Sequence, residues 1–443
     1  MNRYFNEKSN YDKYPVVNVP GMEEECRVGW RAISDRLEKD LSQIGKKVKV
    51  VVLECYQGVS DEEVVTALQS AFPASRWFFS ADAMKSPEQI DAILKQDITE
   101  DEIFGYMTRQ NMDCYFDGDK LPGIRSEIAA ITEGIVFVYG VGAAYVQPSY
   151  DLLVYADMAR WEIQMRFRCN EVSNVGISNR EERASLQYKR AFFVDWRICD
   201  RFKKKLMKKW DYVLDTNTAG NPKMATAKAI EAGLEKASRT PFRVVPFFDP
   251  GPWGGQWMKE VCGLNPEKEN YGWCFDCVPE ENSLYFEVNG VRFELPSVDL
   301  VLLKSRELLG EPVEARFGKD FPIRFDFLDT VGGGNLSVQV HPTTQFIREN
   351  FGMYYTQDES YYLLDAKEGA SVYLGLKTGI DKNEMIHDLR EAQKGEVVFD
   401  TERYVNRLPA KKHDHYLIPG GTVHCSGSEA LVLEISSTPN LFT

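Results

Sequence analysis

Histidine is confined to one end of this 443-residue chain: none of the five (His341, His387, His413, His415, His424) precedes position 341. Two stand in phrases built from metal-binding residue types, Leu336-Ser-Val-Gln339-Val-His341-Pro342 and Ile418-Pro-Gly-Gly-Thr-Val-His424. Between them runs an acidic–aromatic stretch, Asp358-Glu359-Ser-Tyr-Tyr-Leu-Leu-Asp365. Imidazole nitrogen and carboxylate oxygen suit zinc and related divalent cations, and a catalytic site keeps one position open for water or substrate. Side chains alternate along a strand, so Gln339 and His341 share a face. A histidine from the end of a second strand and a carboxylate from a third would close a metal site around them. The competing reading, two core histidines satisfied by hydrogen bonds, stays open at this point.

The elements that must position these residues belong to a chain long enough for two or three domains. With 43% hydrophobic and 27% charged residues it has the composition of a globular protein. A formal charge of −14 argues against nucleic acid or an anionic membrane surface as a general partner. The opening Met-Asn-Arg-Tyr-Phe-Asn-Glu-Lys-Ser-Asn has no apolar targeting core, and no segment approaches transmembrane length. Nine scattered cysteines do not form a disulfide framework, so a cytoplasmic location is expected. Cys274-Phe-Asp-Cys277, with only Cys262 nearby, lacks the second pair of a structural zinc site and reads as strand.

Residues 1–240 alternate between strand and helix. Apolar runs at 47–53, 76–80, 134–139, 151–155 and 211–215 predict strands, with helical patterns at 60–71, 158–168, 180–209 and 225–237. Ser60, followed three residues on by Glu63, has the spacing of a capping box. This order predicts a doubly wound parallel sheet with helices on both faces. A phosphate loop belongs after the first strand, yet Glu54-Cys-Tyr-Gln-Gly58-Val-Ser-Asp-Glu-Glu63 has no lysine and several acids that repel phosphate. Gly140-Val-Gly142 starts like a dinucleotide fingerprint and lacks its third glycine. The basic run from Arg201 to Lys209 reads as a solvated helix face rather than a lid over phosphates. The strand order and Asp211-Tyr-Val-Leu-Asp-Thr216 look like nucleoside and uridine kinases without their phosphate loop, which implies a degenerate, structural or ligand-sensing domain.

From residue 241 onward short strands, Gly/Pro turns and aromatics predict an all-β barrel or sandwich, with helices at 298–309, 344–350 and 382–394. Several phrases here follow one family's order: Pro250-Gly-Pro-Trp253-Gly-Gly255, Tyr271-Gly-Trp273, Leu336–Pro342, Glu359–Asp365, Ala370–Leu376, Ile418–Gly427 and Leu431-Val-Leu-Glu434-Ile435. Residues 241–443 thereby resemble class I mannose-6-phosphate isomerases, zinc enzymes of the cupin superfamily. The resemblance implies a cupin barrel (jelly roll) holding one zinc per chain through Gln339, His341, Glu359 and His424. It also implies a hexose phosphate substrate, with mannose 6-phosphate and fructose 6-phosphate interconverted through a cis-enediol. Glu434 matches a family glutamate and is the candidate base, with a charge at the core edge or a hydrogen-bond partner behind a ligand histidine as the alternatives. Ser337 shares the face of Gln339 and is a candidate for the substrate phosphate. Gln357 stands two residues before Glu359, where bacterial members carry a lysine, and is a second candidate substrate contact.

His387, in a Glu-rich helix, and His413 and His415, in a polar turn, are read as surface residues. The family continues beyond the Leu-Glu-Ile strand into an arginine-bearing strand, so an incomplete barrel without that arginine is also expected. The readings carried forward are a hexose phosphate isomerase and, as alternative, a non-catalytic sugar-phosphate- or metal-binding domain fused to a degenerate kinase-like one.

Overall fold

A computed structural model describes residues 9–22 and 24–437. The backbone divides into two compact units: Pro15–Val244 with Pro279–Asp320, and Val245–Val278 with the residues up to Tyr14 and those from Phe321 onward. The segment 279–320, read from sequence as part of the β half, therefore folds with the α/β unit. No helix among the described residues is long and apolar enough to cross a membrane.

In the α/β unit the strands are β1 (Val16–Asn18), β2 (Cys26–Val28), β3 (Val48–Cys55), β4 (Arg76–Phe79), β5 (Gly134–Gly140), β6 (Leu152–Asp157), β7 (Tyr212–Asp215) and β8 (Lys223–Thr226). Seven form one sheet in the order β2-β8-β7-β6-β3-β5-β4. The five from β7 to β4 run parallel, whereas β8 pairs antiparallel with both β7 and β2. The expected all-parallel sheet is thus corrected at one edge. The link from Asp215 to Lys223 suffices for a hairpin and is too short for a crossover. After β9 (Phe247–Asp249) and β10 (Trp273–Cys277), which belong to the other unit, β11 (Ser283–Val288) and β12 (Val291–Pro296) return here. They form a small sheet with β1, in which β1 and β11 are parallel.

Ligands of open parallel sheets bind beyond the carboxyl ends of the strands. Here internal groups fill that region. Glu54, at the end of β3, accepts the backbone N–H groups of Gly142 and Ala144, each at 2.7 Å. The glycine phrase read as a partial dinucleotide fingerprint is thus capped by a carboxylate of the chain itself. Gly58 has φ +94°, and a Cβ there would lie 2.8 Å from Ile163. Lys203 corrects the solvated-face reading of the basic run: its side chain is 1% exposed and pairs with Asp157 at 2.6 Å and with Asp299. The predicted helix 180–209 is also interrupted by a π-turn at Ala191–Asp195. There the buried Asp195 accepts from Tyr115 Oη at 2.5 Å and Asn174 Nδ2 at 2.9 Å.

In the second unit follow β13 (Ile323–Asp329), β14 (Glu359–Ala366), β15 (Ser371–Leu376), β16 (Val405–Pro409), β17 (His415–Ile418), β18 (His424–Ser426) and β19 (Ala430–Ser437). One antiparallel sheet has the order β17-β14-β19-β13-β10-β9 and a smaller one β16-β15-β18. Tyr361, Leu363 and Val432 from the first sheet and Val372, Val405 and Cys425 from the second share one buried cluster, so the core lies between the sheets. Leu431, Phe327 and Cys274, one residue out of phase, pack with Met258 and Val331 on the outer face. Cys274 and Cys277 both lie in β10, and all nine cysteines are free.

Candidate metal centre

Three short backbone segments deliver the predicted ligands. Residues 336–341 run extended beside β18 without forming a strand of their own. Their one ladder contact is a bridge in which Gln339 N donates to His424 O at 3.0 Å and His424 N to Gln339 O at 2.9 Å. The turn Pro419–Thr422 ties the second phrase back to the first: Gly421, with φ +87°, donates its N–H to the His341 carbonyl at 2.6 Å. Glu359 opens β14, paired in register with Ser436 of β19 and Ile418 of β17.

His341, Glu359 and His424 are all buried, and one potential ligand atom from each lies within 4.8 Å of the others. Their hydrogen bonding tests whether a cation fits. His424 Nδ1 donates to the Thr422 carbonyl at 2.8 Å, which leaves Nε2 of the neutral ring as an acceptor. That nitrogen lies 2.6 Å from Glu359 Oε1. Oε1 has no hydrogen-bond partner among the described residues, so the approach is close without hydrogen-bond geometry. Two acceptors at this distance need a proton or a cation between them. His341 Nε2 lies 2.9 Å from Glu359 Oε2, and the Gln339 amide is 3.3 Å from His424 Nε2. The amide nitrogen faces His424; turned over, the group offers its oxygen to the same point. Burial alone would raise the Glu359 pKa, but His341 and His424, if protonated, would outweigh burial and hold the carboxyl well below the usual carboxylate range. The donor set fits a divalent cation.

Gln357 donates to Glu359 Oε2 at 2.9 Å and to Glu434 Oε1 at 3.2 Å, linking the ligand carboxylate to the predicted base. Glu434 is raised well above the usual range by burial, then by Asp326 and Glu359. Ser337 is exposed, and His387, His413 and His415 are exposed as read from sequence. His413, at φ +74°, meets the Tyr362 hydroxyl at 2.8 Å.

Sequence reading passed over Arg324 and Asp326 of β13, both buried on the inner face. Burial pushes Asp326 up to about 7 although Arg324 lowers it. Their signal is an inverted alternation: in Ile323-Arg-Phe-Asp-Phe327 Arg324 and Asp326 point inward while Phe325 and Phe327 are only half-buried.

The second unit is therefore an antiparallel two-sheet fold carrying a buried His–carboxylate–His cluster between its sheets. The chain is similar in sequence to mannose-6-phosphate isomerases: 28% identical to that of Streptococcus mutans over 41% of this chain and 52% of the relative. It is also 27% identical to mannose-6-phosphate isomerase ManA of Bacillus subtilis over 43% of this chain and 55% of that one. The chain thus spans little more than half the length of these relatives. Among solved structures, the Bacillus subtilis mannose 6-phosphate isomerase aligns over 46% of this chain and 60% of its own, at 24% identity and a TM-score of 0.37. Residues 29–239 match a domain family described as a domain of unknown function (DUF8485).

Proposed function

We propose that the β unit is a metal-dependent aldose–ketose isomerase that interconverts mannose 6-phosphate and fructose 6-phosphate. The observation that carries the metal dependence is the acceptor Nε2 of His424 set 2.6 Å from Glu359 Oε1. The similarity to mannose-6-phosphate isomerases carries the substrate class. His341, Glu359, His424 and the Gln339 amide would hold the cation, zinc being the ion this donor set suits. When bound, it supplies positive charge that polarises the sugar oxygens and favours ionisation of nearby carboxylates. The residues do the remainder. Glu434 takes the proton from C2 of the aldose and returns it to C1 of the enediol, or the reverse. Gln357 keeps the Glu434 carboxyl turned toward Glu359. The interior position of the cluster excludes bulk water, which strengthens each of these interactions.

One observation favours a non-catalytic binding role instead. Gln357 is neutral and spends its amide nitrogen on two carboxylates, so it offers a sugar phosphate no cation. The α/β unit, with its strand-end region closed by Glu54 and Lys203, is proposed to be structural rather than a working kinase. Assaying the purified chain with mannose 6-phosphate, with zinc and with chelator, separates the readings. Zinc-dependent turnover supports the isomerase; stoichiometric zinc without turnover rejects it in favour of binding alone.

A further inference from the structure

Directly opposed residues of antiparallel strands lie on one face. Across β13, β19 and β14 the register gives two such rows: Arg324–Ser436–Glu359 and Asp326–Glu434–Tyr361. Both belong to the inner face, one step along the strands from the core row Leu328–Val432–Leu363. A buried polar floor thus extends from the cluster of His341, Glu359 and His424 across three strands to Arg324.

This floor is poorly satisfied. Arg324 Nε, Ser436 Oγ, Tyr361 Oη and Gln357 Oε1 are buried and have no hydrogen-bond partner among the described residues. Arg324 itself is 7% exposed, and although its charge acts on Asp326 and Glu434, no side-chain hydrogen bond or close ion pair holds its guanidinium among the described residues. Buried guanidinium groups are ordinarily held by carboxylates or carbonyls, because an unpaired buried charge is costly. Several orphaned polar atoms on one face are the mark of a missing polar ligand. The ligand has a direction, too. Arg324 stands two strands from Glu359, about 9–10 Å between backbones at ~4.8 Å per strand. A six-carbon sugar phosphate can span that interval with its carbonyl end at the cation and its anionic end at the guanidinium.

We propose that the Arg324–Ser436–Tyr361 floor is a sugar-phosphate subsite and that Arg324 is the substrate-positioning residue that receives the phosphoryl group. Arg324 is the one cation among the floor residues named here, and guanidinium is suited to bidentate phosphate contact. This inference rests on the isomerase reading for its ligand, and the test keeps the two apart.

The test uses the zinc-loaded full chain and two variants, Arg324→Met, which keeps much of the bulk without the charge, and Arg324→Lys. Calorimetric titration with fructose 6-phosphate and with fructose, alongside zinc content, is the primary readout. Arg324→Met should weaken fructose 6-phosphate binding on the order of tenfold or more while zinc content stays stoichiometric and any fructose binding is unchanged. Arg324→Lys should recover part of the loss. If the wild type turns over, KM for the phosphate ester should rise in Arg324→Met with a smaller change in kcat. Equal fructose 6-phosphate affinity in wild type and Arg324→Met overturns the proposal, whether or not the chain is an isomerase. Binding without turnover, with loss in Arg324→Met, overturns the isomerase and leaves the subsite standing. Absence of any fructose 6-phosphate binding overturns both. Loss of zinc or of the near-ultraviolet circular dichroism signal in Arg324→Met but not in Arg324→Lys would show that the charge holds the fold, and would also overturn the positioning role.

Discussion

Gln339 and His424, 85 residues apart in sequence, exchange both of their backbone hydrogen bonds and meet again through their side chains at 3.3 Å. The segment before β14 and the first residue of β18 are thereby locked in register, so the His424 backbone cannot shift without breaking that pairing, while its ring is held by the Thr422 carbonyl at 2.8 Å. The centre is organised by main-chain geometry before any cation arrives.

His424→Ala should therefore abolish bound metal while leaving the α/β unit folded. Metal content by plasma mass spectrometry and far-ultraviolet circular dichroism are the measurements. One equivalent of zinc retained by the variant would place the site elsewhere.

Glu359→Gln conserves shape and removes the charge that balances a cation. Zinc affinity should fall by about two orders of magnitude or more, a larger loss than the 10–100-fold typical of residues behind a ligand. In the metal-free chain the same change should lower the apparent pKa of Asp326, because Glu359 helps to raise it after burial. A pH titration of the metal-free variant followed by carbon NMR of the carboxyl groups would show the shift or its absence.

Glu54 gives the α/β unit a pH dependence of defined sign. Burial raises its pKa from 4.5 to about 8, against the two backbone N–H groups that favour the charged form. An acid raised on folding binds its proton more tightly in the native state. Its contribution is therefore fully present below about pH 4.5 and is lost as pH rises toward 8. The loss is at most about 5 kcal/mol, an upper bound from the size of the shift. Urea unfolding of wild type and Glu54→Gln across this window should show the slope in the first and a flatter profile in the second.

Lys203 pairs with both Asp157 and Asp299. Lys203→Met leaves two buried carboxyls without it and should cost about 3–5 kcal/mol of α/β-unit stability. Asp299→Asn should cost clearly less, because burial and then Asp157 already hold Asp299 well above the usual carboxylate range. Equal losses in the two variants, by denaturant unfolding, would show that the lysine is not the centre of the network.

Residue chemistry explains which parts of this molecule could be read from its sequence. His341, Glu359 and His424 stand out because such groups are rarely placed inside short apolar strands without a partner. The parallel strands from Val48 to Asp215 are apolar runs with one interpretation, whereas the antiparallel β8 depends on a connection length that no side chain announces. Lys203 could not be told from its neighbours Lys204 and Lys205, because inward and outward lysines differ only through tertiary partners such as Asp157. Arg324 and Asp326 were missed for a related reason: alternating charge and aromatic normally puts the charge outside. The division of the chain was hidden as well, since residues 279–320 look like the β half that surrounds them and are assigned by pairing with β1.

His341 and Glu359 are 18 residues apart, while His424 returns only after the chain has passed through the helix Lys382–Gln393, which has no buried residue. A cation held by all three would act as a cross-link, shortening the free excursion between Glu359 and His424 and removing loop entropy from the unfolded chain. Zinc would then be part of the mechanical integrity of the β unit, and its removal would loosen that loop as well as silence the chemistry.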